Sequence, residues 1–185
     1  MAYASRAGEK LEWALKTFNV RVTGLVCADF GSSTGGFVDC LLQSGATKVY
    51  AVETGYGVLD WKLRNDNRVV AMERKNAMHV ELPEKVDLIT IDTSWTKLEN
   101  IIPNARKSLK EKGQIIALVK PHYEADPKML RKGKLSEEFI SEVLSNVKDK
   151  LSGLGVEVVG ETLSPVLGGK GKNKEYLLHL QKVSI

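Results

Sequence analysis

The chain has 185 residues, 43% of them apolar and 27% charged, which suits one α/β domain with a substantial core and is too short for two ordinary domains. No apolar run is long enough to cross a bilayer, and the N-terminus has no apolar stretch ahead of a small-residue cleavage site, so a cytoplasmic protein is expected. A formal charge of +4 and a pI near 9.0 suit a polyanionic partner, whereas two cysteines without ligand spacing exclude a disulfide framework and a zinc site.

The first amphipathic stretch, near 5–18, sets Leu11, Ala14, Leu15 and Phe18 on one face and reads as a helix carrying Lys10. Apolar runs and amphipathic stretches then alternate, as βαβ units do. The runs 25–30, 48–53, 68–72, 86–92, 114–120, 156–163 and 175–180 are candidate strands, and helices are expected near 35–44, 59–65, 97–110 and 136–152. Their content of Val, Ile and Leu without strict alternation predicts a seven-stranded, mostly parallel sheet, buried on both faces and covered by helices on both. Residues 121–135 and the glycine-rich 168–171 read as loops. Without a repeat or linker, 1–185 is expected to be a single domain, with 1–20 as its N-terminal helical segment. Cys27 on a strand and Cys40 on a helix read as inert core thiols.

The strongest local signal is Asp29-Phe30-Gly31-Ser32-Ser33-Thr34-Gly35-Gly36-Phe37, where the first strand gives way to a helix. Glycines there let the backbone approach a ligand, at the strand end where open α/β sheets hold cofactors. The spacing is neither the dinucleotide fingerprint nor a phosphate loop, so a nicotinamide cofactor and ATP are both disfavoured. Glu53 closes the second strand about twenty residues on, where a carboxylate can accept hydrogen bonds from both hydroxyls of an adenosine ribose. Asp92 closes the fourth strand at the same crevice, and with Asp29 it would favour a cationic methyl donor over a pyrophosphate.

Lys120 ends the fifth strand before Pro121, in a setting that partly desolvates an amine and makes it the best general-base candidate. Glu175 and Lys10 carry no signal alone. Two basic clusters, Lys128 with Arg131, Lys132 and Lys134, and Lys170 with Lys172 and Lys174, could hold phosphates or be ordinary solvated charge. His79, His122 and His179 are unclustered and read as structural or surface residues, so no metal is expected.

The segments SRAGEKLEWAL (5–15), ADFGSSTGGFVDCLLQSGATKVYAVETGYGVLDWKLRND (28–66), MERKNA (72–77), IDTSW (91–95) and LVKPHYEA (118–125) resemble the methyltransferase domain of the TlyA, or haemolysin-A-like, proteins within the FtsJ-like ribose 2′-O-methyltransferases. The resemblance implies a Rossmann-like fold, S-adenosyl-L-methionine as methyl donor and ribosomal RNA or ribosomal subunits as partner. It implies a catalytic tetrad of Lys10, Asp92, Lys120 and Glu175. In it Lys120 deprotonates or polarises a ribose 2′-hydroxyl, the two acids tune the lysines, and Lys10 positions the acceptor. It also implies that Asp29, Gly31, Ser32, Ser33, Gly35, Gly36 and Phe37 surround the methionine end of the donor and that Glu53 holds the ribose. Glu73, Arg74 and Asn76 would contact or border the adenine. Two departures stand out. Members of the family usually carry an S4-type RNA-binding domain ahead of the first segment, and this sequence opens almost at that segment. Glu53 also stands where the family pattern has Asp, one methylene shorter, and Trp95 stands where it has Phe. Two alternatives stay open at this point: a methyltransferase with a small-molecule acceptor, and a membrane-active or non-catalytic protein suggested by the haemolysin label.

Overall fold

In the computed structural model, residues 3–169 and 172–183 are described. Five strands run parallel: β1 (Val26–Phe30), β2 (Lys48–Glu53), β3 (Val69–Glu73), β4 (Val86–Ile91) and β5 (Leu109–Val119). Helices α1 (Ala7–Thr17), α2 (Gly36–Gln43), α3 (Trp61–Arg64) and α4 (Leu98–Ser108) precede or connect them. After β5 come α5 (Pro121–Glu124), a 3-10 turn at Pro127–Met129, and a two-stranded hairpin of β6 (Leu130–Arg131) and β7 (Lys134–Leu135). The chain then forms α6 (Glu137–Ser152), β8 (Val156–Leu163) and β9 (Tyr176–Lys182). The seven-stranded sheet has the order β3-β2-β1-β4-β5-β9-β8, with β9 antiparallel to both neighbours.

Strand residues alternate between two apolar layers. Cys27, Leu88, Ile116 and Leu118 face α1 and α2, where Leu11, Ala14, Phe37 and Leu41 pack. Ala28, Phe30, Ile89, Ile91, Ile115 and Ala117 face α4 and α6, where Ile101, Ile102, Ala105, Val147 and Leu151 pack. The central strands are therefore covered on both sides, as their unbroken apolar runs require. The two edge strands depart from that expectation. Val70 and Ala71 of β3 are exposed, and β8 alternates buried or half-buried with exposed positions, because an edge strand is flanked on one side only. Residues 109–113, partly assigned to a helix by pattern, open β5 instead: Leu109 pairs with Val86 and the register then shifts.

The segment 121–135 is structured rather than a loop. Proline at the first position of α5 gives up only an N–H that would lack a helical partner. Lys132 (φ 51°) and Gly133 (φ 76°) then occupy the two left-handed positions of a tight hairpin turn. No helix among the described residues is long and apolar enough to cross a membrane. Both cysteines are buried and unpaired, and burial pushes each thiol up to about 12.

Candidate active site

The chain leaves β1 toward β2 and β3 on one side, and β4 and β5 build outward on the other, so the strand order reverses between β1 and β4. Gly31 and Asp92 meet there. A Cβ on Gly31 would lie 2.5 Å from the Asp92 carbonyl oxygen, and Gly31 sits at φ +89°. Glycine is thus required twice over, by conformation and by the closeness of the neighbouring strand end. Because the five strands are parallel, Gly31, Glu53, Asp92 and Lys120 emerge at one edge of the sheet. Because β9 runs the opposite way, with Tyr176 paired to Val119, its leading residue Glu175 arrives at that edge too.

A cleft of about 350 Å³ opens at the switch point, with Gly31, Ser33, Glu53, Asn76 and Asp92 among its walls. Glu53 accepts hydrogen bonds from the Ser33 N–H (2.8 Å) and the Gly55 N–H (2.9 Å), which ties the glycine loop to the end of β2. The other residues assigned to the donor lie behind this wall. Phe37 is packed in the α1/α2 layer. Gly35, at φ +104°, abuts Leu59 and Leu63, and Gly36 is pressed against Ser5, Ala7 and Gly8. These contacts seat the N-terminal segment on α2 and so aim α1 at the site.

Asp29 is 1% exposed and faces the α1/α2 side, accepting a 2.6 Å hydrogen bond from Thr90, its register partner on β4. Burial, reinforced by Asp92 and Glu53 against the opposing Thr90 bond, raises its carboxyl to about 8. Its Oδ2 and the Oγ of buried Ser32 have no hydrogen-bond partner among the described residues. Glu73 is ion-paired with Arg64 and accepts the Gly57 N–H, while Arg74 lies over the Tyr56 ring, 4.6 Å from its centroid. Of the ERKNA segment, Lys75, Asn76 and Ala77 reach the cleft wall and Glu73 and Arg74 do not.

The four residues of the implied tetrad are brought together as two ion pairs. Lys120 Nζ lies 2.6 Å from Asp92 Oδ1 and donates a 3.4 Å hydrogen bond to the Thr93 carbonyl. Lys10 Nζ lies 2.5 Å from Glu175 Oε2, with side-chain exposures of 10% and 4%. A second cleft, about 530 Å³, is walled by Lys10, Lys120 and Glu175 on one side and by Trp95, His122 and Tyr123 on another. A third cavity, about 390 Å³, shares Ser33 and Asp92 with the first cleft and Lys10 and Lys120 with the second. The charged groups therefore stand where the first and second clefts adjoin.

The aromatic wall was not legible as a site. Trp95, 82% exposed and at φ 64°, has its ring 4.6 Å from that of Tyr123, which in turn lies 4.2 Å from the His122 ring. His122, read as a structural or surface residue, lines the second cleft with an Nδ1 that has no hydrogen-bond partner among the described residues; burial and then the Lys120 charge hold its pKa below the usual histidine value. The only available signal was adjacency to Lys120 in VKPHYE. His179 does have a structural setting, with Nε2 2.7 Å from Gln114 Oε1. No group of three or more metal-ligating side chains occurs among the described residues.

The first cleft fits S-adenosylmethionine: Glu53 at the end of β2 offers a carboxylate suited to ribose hydroxyls, and the glycine loop along the cleft leaves the buried Ser32 Oγ without a hydrogen-bond partner among the described residues. Comparison with known proteins agrees. The pattern of the FtsJ-like methyltransferases matches residues 3–182. Hemolysin A of Brachyspira hyodysenteriae is 41% identical, covering 96% of this chain and 76% of that protein. The Mycobacterium tuberculosis 16S/23S rRNA (cytidine-2′-O)-methyltransferase TlyA is 38% identical, covering 97% and 69%. A solved Streptococcus thermophilus structure, provisionally named a hemolysin, superposes with a TM-score of 0.95 at 41% identity, covering 100% of this chain and 68% of that one. With its fold, its cleft at the switch point and these relatives in agreement, the chain belongs to the FtsJ-like methyltransferase family.

Proposed function

We propose that this protein is an S-adenosylmethionine-dependent methyltransferase of ribosomal RNA acting on a ribose 2′-hydroxyl, with Lys10, Asp92, Lys120 and Glu175 as its catalytic group. The observation that carries the reading is the meeting of the two ion pairs at the wall shared by donor and acceptor spaces. The relatives named as rRNA methyltransferases supply the substrate class.

The bound donor supplies an electrophilic methyl group on a sulfonium. Lys120, held between the Asp92 carboxylate and the Thr93 carbonyl, faces the acceptor cleft and, as the neutral amine, takes the proton of the 2′-hydroxyl. Asp92, lining the donor cleft as well, fixes the Lys120 amine and offers negative potential toward the sulfonium. Glu175 holds Lys10 in a buried pair, so that Lys10 presents a fixed donor to the incoming sugar. Most of the rate gain in this arrangement comes from aligning the oxygen with the methyl group and excluding water. Trp95 and Tyr123 give the acceptor cleft an aromatic wall against which a nucleobase can lie.

Phosphate contacts are available on the β6–β7 hairpin and the 3-10 turn that leads into it. Lys128, Arg131, Lys132 and Lys134 are exposed and form no ion pair among the described residues, and Gly133 at the hairpin tip reaches the acceptor cleft. The second basic cluster contributes less: Lys174 is paired with Glu137, and Lys170 lies outside the described residues. An rRNA substrate, as named for the relatives, suits a cytoplasmic enzyme.

The test is transfer of labelled methyl groups into protein-free ribosomal RNA and into ribosomal subunits, followed by nucleoside analysis. Wild-type protein is expected to yield a 2′-O-methyl nucleoside. Lys120→Met is expected to lose at least a hundredfold in rate while binding S-adenosylmethionine as before. Full activity in that variant would refute the assigned base, and methylation of small molecules alone would refute the RNA acceptor.

A further inference from the structure

The loop that leaves β2 and the first residue of α3 carry three large apolar side chains on the surface: Tyr56 at 70% exposure, Val58 at 42% and Trp61 at 74%. None of the three stabilises the core, yet the backbone beneath them is firmly held. Glu73, ion-paired with Arg64, accepts the Gly57 N–H at 2.8 Å. The Arg74 N–H donates to the Gly55 carbonyl at 3.2 Å, and the Asp60 N–H donates to the Thr34 carbonyl at 3.0 Å. Asp60 also caps α3, accepting the Lys62 N–H at 2.8 Å. The Arg74 guanidinium is already stacked on the Tyr56 ring.

Cations outnumber unpaired carboxylates on this surface. Lys62, Arg74 and Lys75 are exposed and form no ion pair among the described residues, whereas Glu73 is neutralised by Arg64 and Asp60 points into its helix cap. Exposed rings on a rigid loop, flanked by unpaired cations, present what a single-stranded nucleic acid needs: flat faces for bases and positive charge for phosphates. Lys75, Thr54 and Glu53 also line the donor cleft, so this surface continues directly from the active site on the side away from the β6–β7 hairpin cluster.

We propose that the Tyr56–Trp61 loop, with Arg74 stacked on Tyr56, is a second RNA-contact surface that holds an unpaired stretch of the substrate by base stacking. The proposal rests on the RNA-methyltransferase reading and adds to it a docking site outside the acceptor cleft.

The test measures affinity for protein-free ribosomal RNA together with affinity for S-adenosylmethionine, in wild-type protein and in Tyr56→Ala, Trp61→Ala and Tyr56→Phe. Each alanine variant is expected to bind RNA about tenfold more weakly, as loss of one stacking contact implies. Tyr56→Phe is expected to bind as wild type, because the ring face and not the hydroxyl makes the contact. Donor affinity, thermal midpoint and the slope of RNA affinity against salt should be unchanged, since exposed rings neutralise no phosphate. Unaltered RNA affinity in the alanine variants of a protein that does methylate RNA would overturn the proposal alone. Weakened binding to intact subunits but not to protein-free RNA would also overturn it, by showing a protein contact. Failure of wild-type protein to bind or methylate RNA would remove both readings together.

Discussion

Replacing Lys10 by Met would leave the Glu175 carboxylate without its partner in a site where the two side chains are only 10% and 4% exposed. Removing one member of a buried pair costs about 3–5 kcal/mol, because the remaining charge stays desolvated and uncompensated. For a chain of this length each kcal/mol lowers the melting temperature by about 2–4 °C, so Lys10→Met should melt roughly 10 °C below wild type. Glu175→Gln on the same background removes the stranded charge at nearly constant volume, and the double variant should regain at least about 2 kcal/mol over Lys10→Met. Urea unfolding of the four proteins of this cycle measures both quantities. Methyl transfer measured in parallel separates chemistry from folding, since the double variant should be stable and inactive. A loss below about 1 kcal/mol in Lys10→Met, the size expected of a surface pair, would refute the account of a buried, mutually dependent pair. A double variant no more stable than Lys10→Met would do the same.

Two further predictions concern buried titratable groups. With its pKa raised from 3.8 to about 8, folded Asp29 keeps a proton that the unfolded chain has lost between those values, so its contribution to stability falls as pH rises through that window and levels off above it. Asp29→Asn should therefore gain stability over wild type between pH 5 and pH 8.5 in urea unfolding; identical pH profiles for the two proteins would contradict a neutral buried carboxyl. Cys27 and Cys40, with thiols raised to about 12 by burial, should not react with a disulfide-exchange reagent at pH 8 until the protein is unfolded, when both should react; modification of the folded protein would disprove their burial.

Unbroken apolar runs located every strand of the large sheet, and helical periodicity located α1, α2, α3, α4 and α6, to within a few residues, because each signal lies within one local stretch. It failed where the deciding partner is distant. The opening of β5 reads as a helix end until Val86 is found beside Leu109, and the β6–β7 hairpin has strands too short to show a period. Among site residues, Gly31, Glu53, Asp92 and Lys120 were legible because each closes a strand, and parallel strands share one functional edge. Trp95, His122 and Tyr123 were not, since stacking between an exposed loop residue and a four-residue helix leaves no mark on spacing.

The sequence by itself determined the fold class, the glycine turn and the family, all carried by short contiguous motifs. Only the tertiary structure decided that Asp29 and Phe37 turn away from the donor cleft, that Arg74 stacks outward on Tyr56, and that Lys10 meets Glu175 across 165 positions of chain. Which face a side chain takes depends on what packs against it, and the antiparallel entry of β9, which brings Glu175 to the same edge as Lys120, is a property of the whole sheet.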